Sequence, residues 1–171
     1  MEKPDMENRR KHSIPLTPAD SLAEWLGWTL VIINWFIVLR AFGDLPDTIP
    51  THFNLAGEAD GYGSSLTLFL IPVISTVSVL GMSILERFPE IYNYPVKITP
   101  ENAFSQYSAA VRLVRWLKVS LALVFLLISI GTTASATSGC GRLGIWFLPL
   151  VLLLINLPLA IYLIRVFRNK K

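Results

Sequence analysis

The sequence has little charge and almost no cysteine. Only 16% of its 171 residues are charged, well below the quarter that is usual in soluble domains. The single cysteine, Cys140, excludes an internal disulfide and leaves the redox compartment open. The shortage of charge therefore argues against an ordinary soluble domain before any motif is considered.

Apolar residues make up 53% of the chain and are gathered into long blocks. Blocks of about 18 or more residues with few or no charges are typical of membrane spans. The blocks predict four transmembrane helices, at Leu22–Phe42, Leu66–Leu85, Val119–Ala136 and Gly144–Ile164. The first block is too long for the core of a signal peptide, so we expect it to remain in the protein as a span.

Lysine and arginine are concentrated in alternate polar segments. The N-terminal tail carries four of the 15 bases, residues 86–118 carry five and the C-terminal tail carries four, whereas residues 43–65 carry none. Because basic segments stay in the cytoplasm, we expect a multi-pass protein of the cell membrane with both termini cytoplasmic. Bases beside apolar segments also indicate the lipid bilayer as a partner and argue against nucleic acid.

The predicted fold is an all-α integral membrane protein with four transmembrane helices. It has a turn-rich exterior loop between the first two and a cytoplasmic amphipathic helix before the third. Residues 1–20 are expected to form a disordered cytoplasmic tail, and residues 21–171 the membrane domain. Within that domain we expect a motif-bearing helix–loop–helix at 22–85, a cytoplasmic segment at 86–118 and a C-terminal hairpin at 119–164.

Two helix starts are marked by capping residues. Thr17 precedes Pro18 and predicts the start of the first helix, and Thr99 precedes Pro100 and predicts the start of the amphipathic helix. The amphipathic stripe consists of Ala103, Tyr107, Ala110, Val114 and Leu117. The bases of residues 112–118 lie off this stripe, so we expect a helix near the inner interface that continues into the third span.

Two amide side chains, Asn34 and Asn156, lie within the apolar blocks. Polar groups inside a membrane often mark a functional path. A neutral amide more often bonds a neighbouring helix, which is the interpretation that we favour. Pro158, in the last block, predicts a kink.

The exterior loop reads LPDTIPTHFNLAGEADGYGS from Leu45 to Ser64, and its prolines and glycines predict a compact element built from turns. Asp60-Gly61 is a strong turn signal. His52 with nearby carboxylates could bind a metal or act as an acid–base pair, but the spacing matches no standard metal motif and no nucleophile accompanies it. Backbone hydrogen bonds are the favoured role, so we predict no metal, no cofactor, no catalytic residue and no enzyme activity.

The loop resembles the pattern P-x-x-I-P-x-H-[FW]-N-x-x-G-x-x-D-x-x-G-S. The matching residues are Pro46, Ile49, Pro50, His52, Phe53, Asn54, Gly57, Asp60, Gly63 and Ser64. This pattern marks a bacterial and archaeal membrane domain of unknown function, numbered 1648. The same domain forms the N-terminal part of SdpI-type immunity proteins, which protect a cell from its own secreted killing peptide. With the similar segment that follows, the resemblance covers residues 22–118 and implies a small prokaryotic integral membrane protein.

The resemblance and the shaped exterior loop together predict an immunity or sensing module. It would bind a secreted peptide, or sense one and act on a cytoplasmic regulator. The candidate ligand-binding residues are His52, Phe53, Asn54, Gly57 and Asp60. The alternative is a transporter or channel subunit that works as an oligomer, with Asn34 and Asn156 lining a path.

Overall fold

The computed structural model describes residues 14–139 and 142–168, and within these ranges the chain forms four α-helices and one β-hairpin. The helices are α1, Pro18–Ala41; α2, Leu70–Leu85; α3, Ala103–Ser138; and α4, Phe147–Arg168. The strands are β1, Thr48–Phe53, and β2, Ala59–Ser64, both between α1 and α2. Short 3-10 turns cover Phe42–Asp44, Ser65–Phe69 and Pro89–Ile91.

Each of the four helices in the described ranges is long and apolar enough to cross a membrane, with a mean hydropathy of 1.7 to 2.5 over its most apolar stretch. The predicted four-helix membrane fold is therefore confirmed. α3 has 36 residues and is about 54 Å long at the rise of an α-helix. It therefore extends well beyond a hydrocarbon core of about 30 Å.

The start of α1 is the one that the sequence predicts. Thr17 is the N-cap: the Thr17 N–H donates to Asp20 Oδ2 at 2.9 Å, and the Asp20 N–H donates to Thr17 Oγ1 at 3.3 Å. This reciprocal capping box satisfies N–H groups that the first helical turn leaves without partners. α1 thus includes residues 18–20, which the sequence assigned to a tail, and residues 1–13 of that tail lie outside the described residues.

α3 differs from its prediction in two respects. Its N-cap is Asn102, because the Asn102 side chain accepts a hydrogen bond from the Thr99 N–H at 2.9 Å and closes a turn ahead of the helix. As predicted, the segment before the third span continues into the span as one helix. Arg115 and Lys118, expected off the buried stripe, are only 6% and 0% exposed, because they pair with acidic side chains of other elements.

α1, α2 and α3 share one core, and α4 packs against α3. The shared core contains Ala23, Leu30, Val31, Val79, Val119, Ala122 and Leu126. The Trp35 Nε1–H donates to Thr76 Oγ1 at 3.0 Å and ties α1 to α2 at mid-depth. Tyr162 and Val166 pack with Ala110 where α4 meets α3. Most of α4 remains exposed, so its apolar side chains face the bilayer or another molecule.

The loop between α1 and α2 is a β-hairpin instead of a series of turns. β1 and β2 are antiparallel, with Ile49 opposite Gly63 and Pro50 opposite Tyr62. The predicted turn at Asp60-Gly61 is wrong, since both residues lie in β2. The chain reverses at residues 54–57 instead. We call the end of the bundle that carries this hairpin the hairpin end, and the opposite end, with the N-termini of α1 and α3, the basic end.

Candidate functional site

The hairpin is fixed to the bundle by a small apolar cluster. Ile49 of β1 is 1% exposed and packs with Val38 of α1 and Leu68 of the turn before α2. Burying a side chain of this size contributes about 1.5–3 kcal/mol. The hairpin is therefore anchored to the bundle, although its sequence is more polar than the helices α1 and α2 on either side of it.

The turn of the hairpin depends on Asn54 and Gly57. The Asn54 side-chain oxygen accepts hydrogen bonds from the N–H groups of Ala56 and Glu58, at 2.9 and 3.0 Å. Gly57 has φ +76, and a Cβ there would lie 2.6 Å from the Gly144 carbonyl oxygen. Only glycine fits both the backbone angle and the close approach. These two positions of the loop pattern thus have a structural role.

The turn also joins the hairpin to the connection between α3 and α4. The Leu143 N–H donates to the Gly57 carbonyl oxygen at 2.7 Å. Arg142 Nη2 lies 2.8 Å from Glu58 Oε1, but both side chains are about half exposed or more, at 68% and 47%. Exposed ion pairs of this kind contribute about 0–1 kcal/mol. The backbone bond and the glycine contact therefore hold this junction, with the ion pair as a minor addition.

His52 and Asp60 are brought together across the two strands. His52 Nδ1 is hydrogen bonded to Asp60 Oδ1, and the strand register shifts on both sides of His52. Such bulges redirect side chains that regular pairing would separate. Among the described residues, no third His, Cys, Asp or Glu joins them to form a group suited to a metal. The pair orients the imidazole and leaves Nε2 available to a ligand, because both side chains are partly exposed.

A groove of about 540 Å³ lies between the hairpin and the helix ends beneath it. Four of the five predicted ligand-binding residues line it: His52, Phe53, Asn54 and Gly57. Asp60 is linked to it through His52. Leu55 of the hairpin turn also lines it, and the opposite walls are mainly apolar and include Leu68, Ile71, Ile128, Leu143 and Phe147. Sequence reasoning missed the walls from α3 and α4, because these residues are distant in sequence and carry no motif.

The two mid-span amides are not brought together. Asn34 is 0% exposed inside the bundle, and neither amide atom has a hydrogen-bond partner in the part of the chain that is described. Asn156 is exposed on α4, and its Nδ2 donates to the Leu152 carbonyl oxygen of the same helix at 2.7 Å. Within the described chain Asn156 thus bonds its own helix, and the expected bond to a neighbouring helix stays a prediction. α4 continues through Pro158, and the kink there stays a prediction.

A buried ionic cluster lies at the basic end and was missed by sequence reasoning. Lys118 is fully buried, and its Nζ donates to Glu24 Oε1 at 2.6 Å, to Glu86 Oε1 at 2.6 Å and to Ser83 Oγ at 3.0 Å. These bonds use all three ammonium hydrogens. They join α1, the end of α2 and α3 at one point.

Arg115 completes the cluster one helical turn before Lys118. Its Nε donates to Glu86 Oε2 at 2.7 Å, and its Nη1 lies 3.4 Å from Asp20 Oδ1. Burial raises the pKa of the Glu86 carboxyl group, whereas the adjacent Lys118 and Arg115 act in the opposite direction. The signal in the sequence was two bases three residues apart on α3, together with an unexplained Glu24 in the first apolar block.

A comparison with known protein families finds a match in the region that contains the hairpin. Residues 29–76 match the family model described as Domain of unknown function (DUF1648), which covers the second half of α1, the hairpin and the start of α2. The chain is also 29% identical over 89 residues to an uncharacterized protein of Archaeoglobus fulgidus. That match covers 47% of this chain and spans about half of the relative, 49% of its length.

No solved structure matches the chain. The family model and the archaeal relative agree with the expectation drawn from the loop pattern, and the helices have the composition of a membrane protein. Residues 29–76 of this multi-pass membrane protein are therefore similar to the DUF1648 family.

Proposed function

We propose that this protein is an immunity or sensing module that binds a secreted peptide in the groove at the hairpin end. The observation that carries the proposal is the groove itself, about 540 Å³ in volume and lined in part by six of the ten residues of the loop pattern. Ligand sites of this kind are concave, mostly apolar and supplied with a few placed polar groups. The proposed role requires binding alone, without catalysis or a cofactor.

The charge around the groove favours a peptide that is both apolar and cationic. Residues 43–65 contain four acids, Asp44, Asp47, Glu58 and Asp60, and no lysine or arginine. Glu58 is paired with Arg142 and Asp60 with His52, so among the described residues the unpaired negative charge of this segment is on Asp44 and Asp47. This charge would attract a positively charged ligand over distances of about a Debye length. The apolar walls would then take up the hydrophobic side chains of the same peptide.

The proposed orientation puts the groove outside the cell and the basic end in the cytoplasm. It is supported by the absence of bases in residues 43–65 and by their abundance at the opposite end. A cysteine introduced at Leu55, in a chain with Cys140 replaced by serine, should react with a membrane-impermeant maleimide in intact cells. Labelling that requires permeabilised cells would reverse the orientation.

The peptide-binding proposal is tested by expression in a host that is sensitive to membrane-active peptides. The wild-type chain should raise survival against at least one cationic peptide of a panel. Leu55 is 82% exposed and lines the groove, so Leu55→Asp should abolish protection by placing a charge in the apolar wall.

Tyr62 provides the matched control. It is 63% exposed on β2 and lies outside the residues that line the groove. Tyr62→Asp should therefore retain protection at the same expression level. Unchanged killing by every peptide, or equal loss in the two variants, would contradict the proposal.

An oligomeric transporter or channel subunit is the second candidate. Asn156 supports it, because its amide is exposed on α4, where association of two copies would remove it from lipid. Purified protein reconstituted in liposomes should then move an ion or small solute, and Asn156→Leu should weaken both self-association and flux. If liposomes that contain the wild-type protein are impermeable to every ion and solute of a panel, this function is rejected.

A further inference from the structure

We propose that the basic end holds a binding site for one anionic phospholipid between α3 and α4. Two adjoining cavities form the site, one of about 470 Å³ and one of about 450 Å³. Three residues line both cavities: Ala109, Arg112 and Arg165. The two arginines therefore stand at the junction, where a phosphate would lie between an acyl-chain crevice and a headgroup pocket.

The larger cavity has the shape and chemistry of an acyl-chain crevice. From the two arginines it extends to Leu123 on α3 and Leu153 on α4. Leu123 is eleven residues beyond Arg112, which is about 16 Å along a helix. Trp116 and Tyr162 also line it, near the arginines, and such aromatic side chains are typical of the membrane–water interface.

The smaller cavity has the chemistry of a headgroup pocket. Thr17, Ser105 and Ser108 line it beside the arginines. Ser108 is only 8% exposed, and its hydroxyl has no hydrogen-bond partner among the described residues. A buried hydroxyl without a partner is unfavourable, and a phosphate oxygen would satisfy it. The Ser108 hydroxyl therefore indicates a bound ligand independently of the positive charge of the two arginines.

The charge balance favours an anionic lipid over a zwitterionic one. The described residues that line the two cavities include two arginines and no acid. Arg165 has no ion-pair partner within the described ranges. Arg112 lies 3.6 Å from Asp20 and is still 36% exposed. Asp20 is itself bonded to Thr17 and close to Arg115, so Arg112 retains capacity for a phosphate.

The experiment measures thermal unfolding of the full chain in neutral detergent during titration with dioleoyl phosphatidylglycerol, dioleoyl phosphatidylcholine or inorganic phosphate. Phosphatidylglycerol should raise the unfolding temperature in a saturable manner, and the other two should not. Each arginine next to an anionic lipid accounts for roughly fivefold in affinity. Arg112→Gln with Arg165→Gln should thus weaken the apparent affinity about 25-fold.

A matched pair, Arg87→Gln with Arg168→Gln, removes the same charge from exposed positions at the same end and should leave the affinity unchanged. Leu157→Trp, which fills the crevice without changing charge, should also weaken binding. If the Arg112/Arg165 variant fails to fold, the affinity of Leu157→Trp for phosphatidylglycerol tests the proposal in its place. Equal responses to both lipids, an equal response to phosphate alone, or equal loss in the Arg87/Arg168 control would overturn the proposal.

Discussion

Replacing Lys118 by methionine should be among the most damaging single changes at the basic end. The substitution keeps most of the side-chain volume and removes the ammonium group that bonds Glu24 and Glu86 at 2.6 Å. The cluster contains three acids and three bases within ion-pair distances, so the variant leaves one excess negative charge. The Glu86 side chain, only 7% exposed, then keeps Arg115 as its remaining cation.

The expected cost follows from the burial of the partners. Removing one member of a buried ion pair costs about 3–5 kcal/mol, because an uncompensated charge stays behind. Glu24 is 27% exposed and regains some solvation, so the lower figure, about 3 kcal/mol, applies. For a chain of this size that corresponds to a fall of roughly 6–12 °C in unfolding temperature.

The assay is thermal unfolding of the purified variants in one detergent. Combining Lys118→Met with Glu24→Gln restores charge balance and should recover about half of the lost stability. Arg87→Met, at an exposed position without an ion pair in the described part of the chain, should change stability by less than about 0.5 kcal/mol. An unchanged unfolding temperature for Lys118→Met, or a double variant no better than the single one, would refute the reasoning.

Three further changes test the hairpin and the bundle by the same measurement. Gly57→Ala should cost at least about 1–2 kcal/mol for the left-handed backbone alone, whereas Gly43→Ala, with open space around it, should cost little; equal effects would contradict the hairpin geometry. Asn34→Leu should not lower stability, because its amide has no partner among the described residues; a fall of several degrees would show that the amide is bonded. Arg142→Ala should cost less than about 1 kcal/mol, and a larger loss would mean that its pair with Glu58 is not screened by solvent.

The sequence predicted the helical elements well wherever a local signal exists. Hydrophobic length alone identified the spans, and Thr17 with Pro18 identified the start of α1. Thr99 failed as a cap because Asn102, three residues later, uses its side chain to close the preceding turn. Asp60-Gly61 failed as a turn because Asn54 and Gly57 satisfy the backbone of a different reversal. In both cases two local signals competed, and at the hairpin turn the close approach of Gly57 to Gly144 adds a contact that is distant in sequence.

The sequence predicted only part of the candidate site, because contacts between residues distant in sequence complete it. The loop pattern placed His52 and Asn54 at the site, but part of the groove wall comes from α3 and α4, more than seventy residues further along the chain. The pairing of His52 with Asp60 depends on a register shift that no spacing rule reveals. The ionic cluster likewise unites Glu24 and Lys118, which are 94 positions apart.

By itself, the sequence determined that the chain is a membrane protein, how many spans it has and which loop carries the family pattern. These properties follow from hydropathy, helix length and residue order, which are local quantities. The tertiary structure alone decided which polar groups are buried and paired. Lys118 reads as an ordinary interfacial base in the sequence and becomes a fully buried one only when α1 and the end of α2 bring carboxylates to its ammonium group.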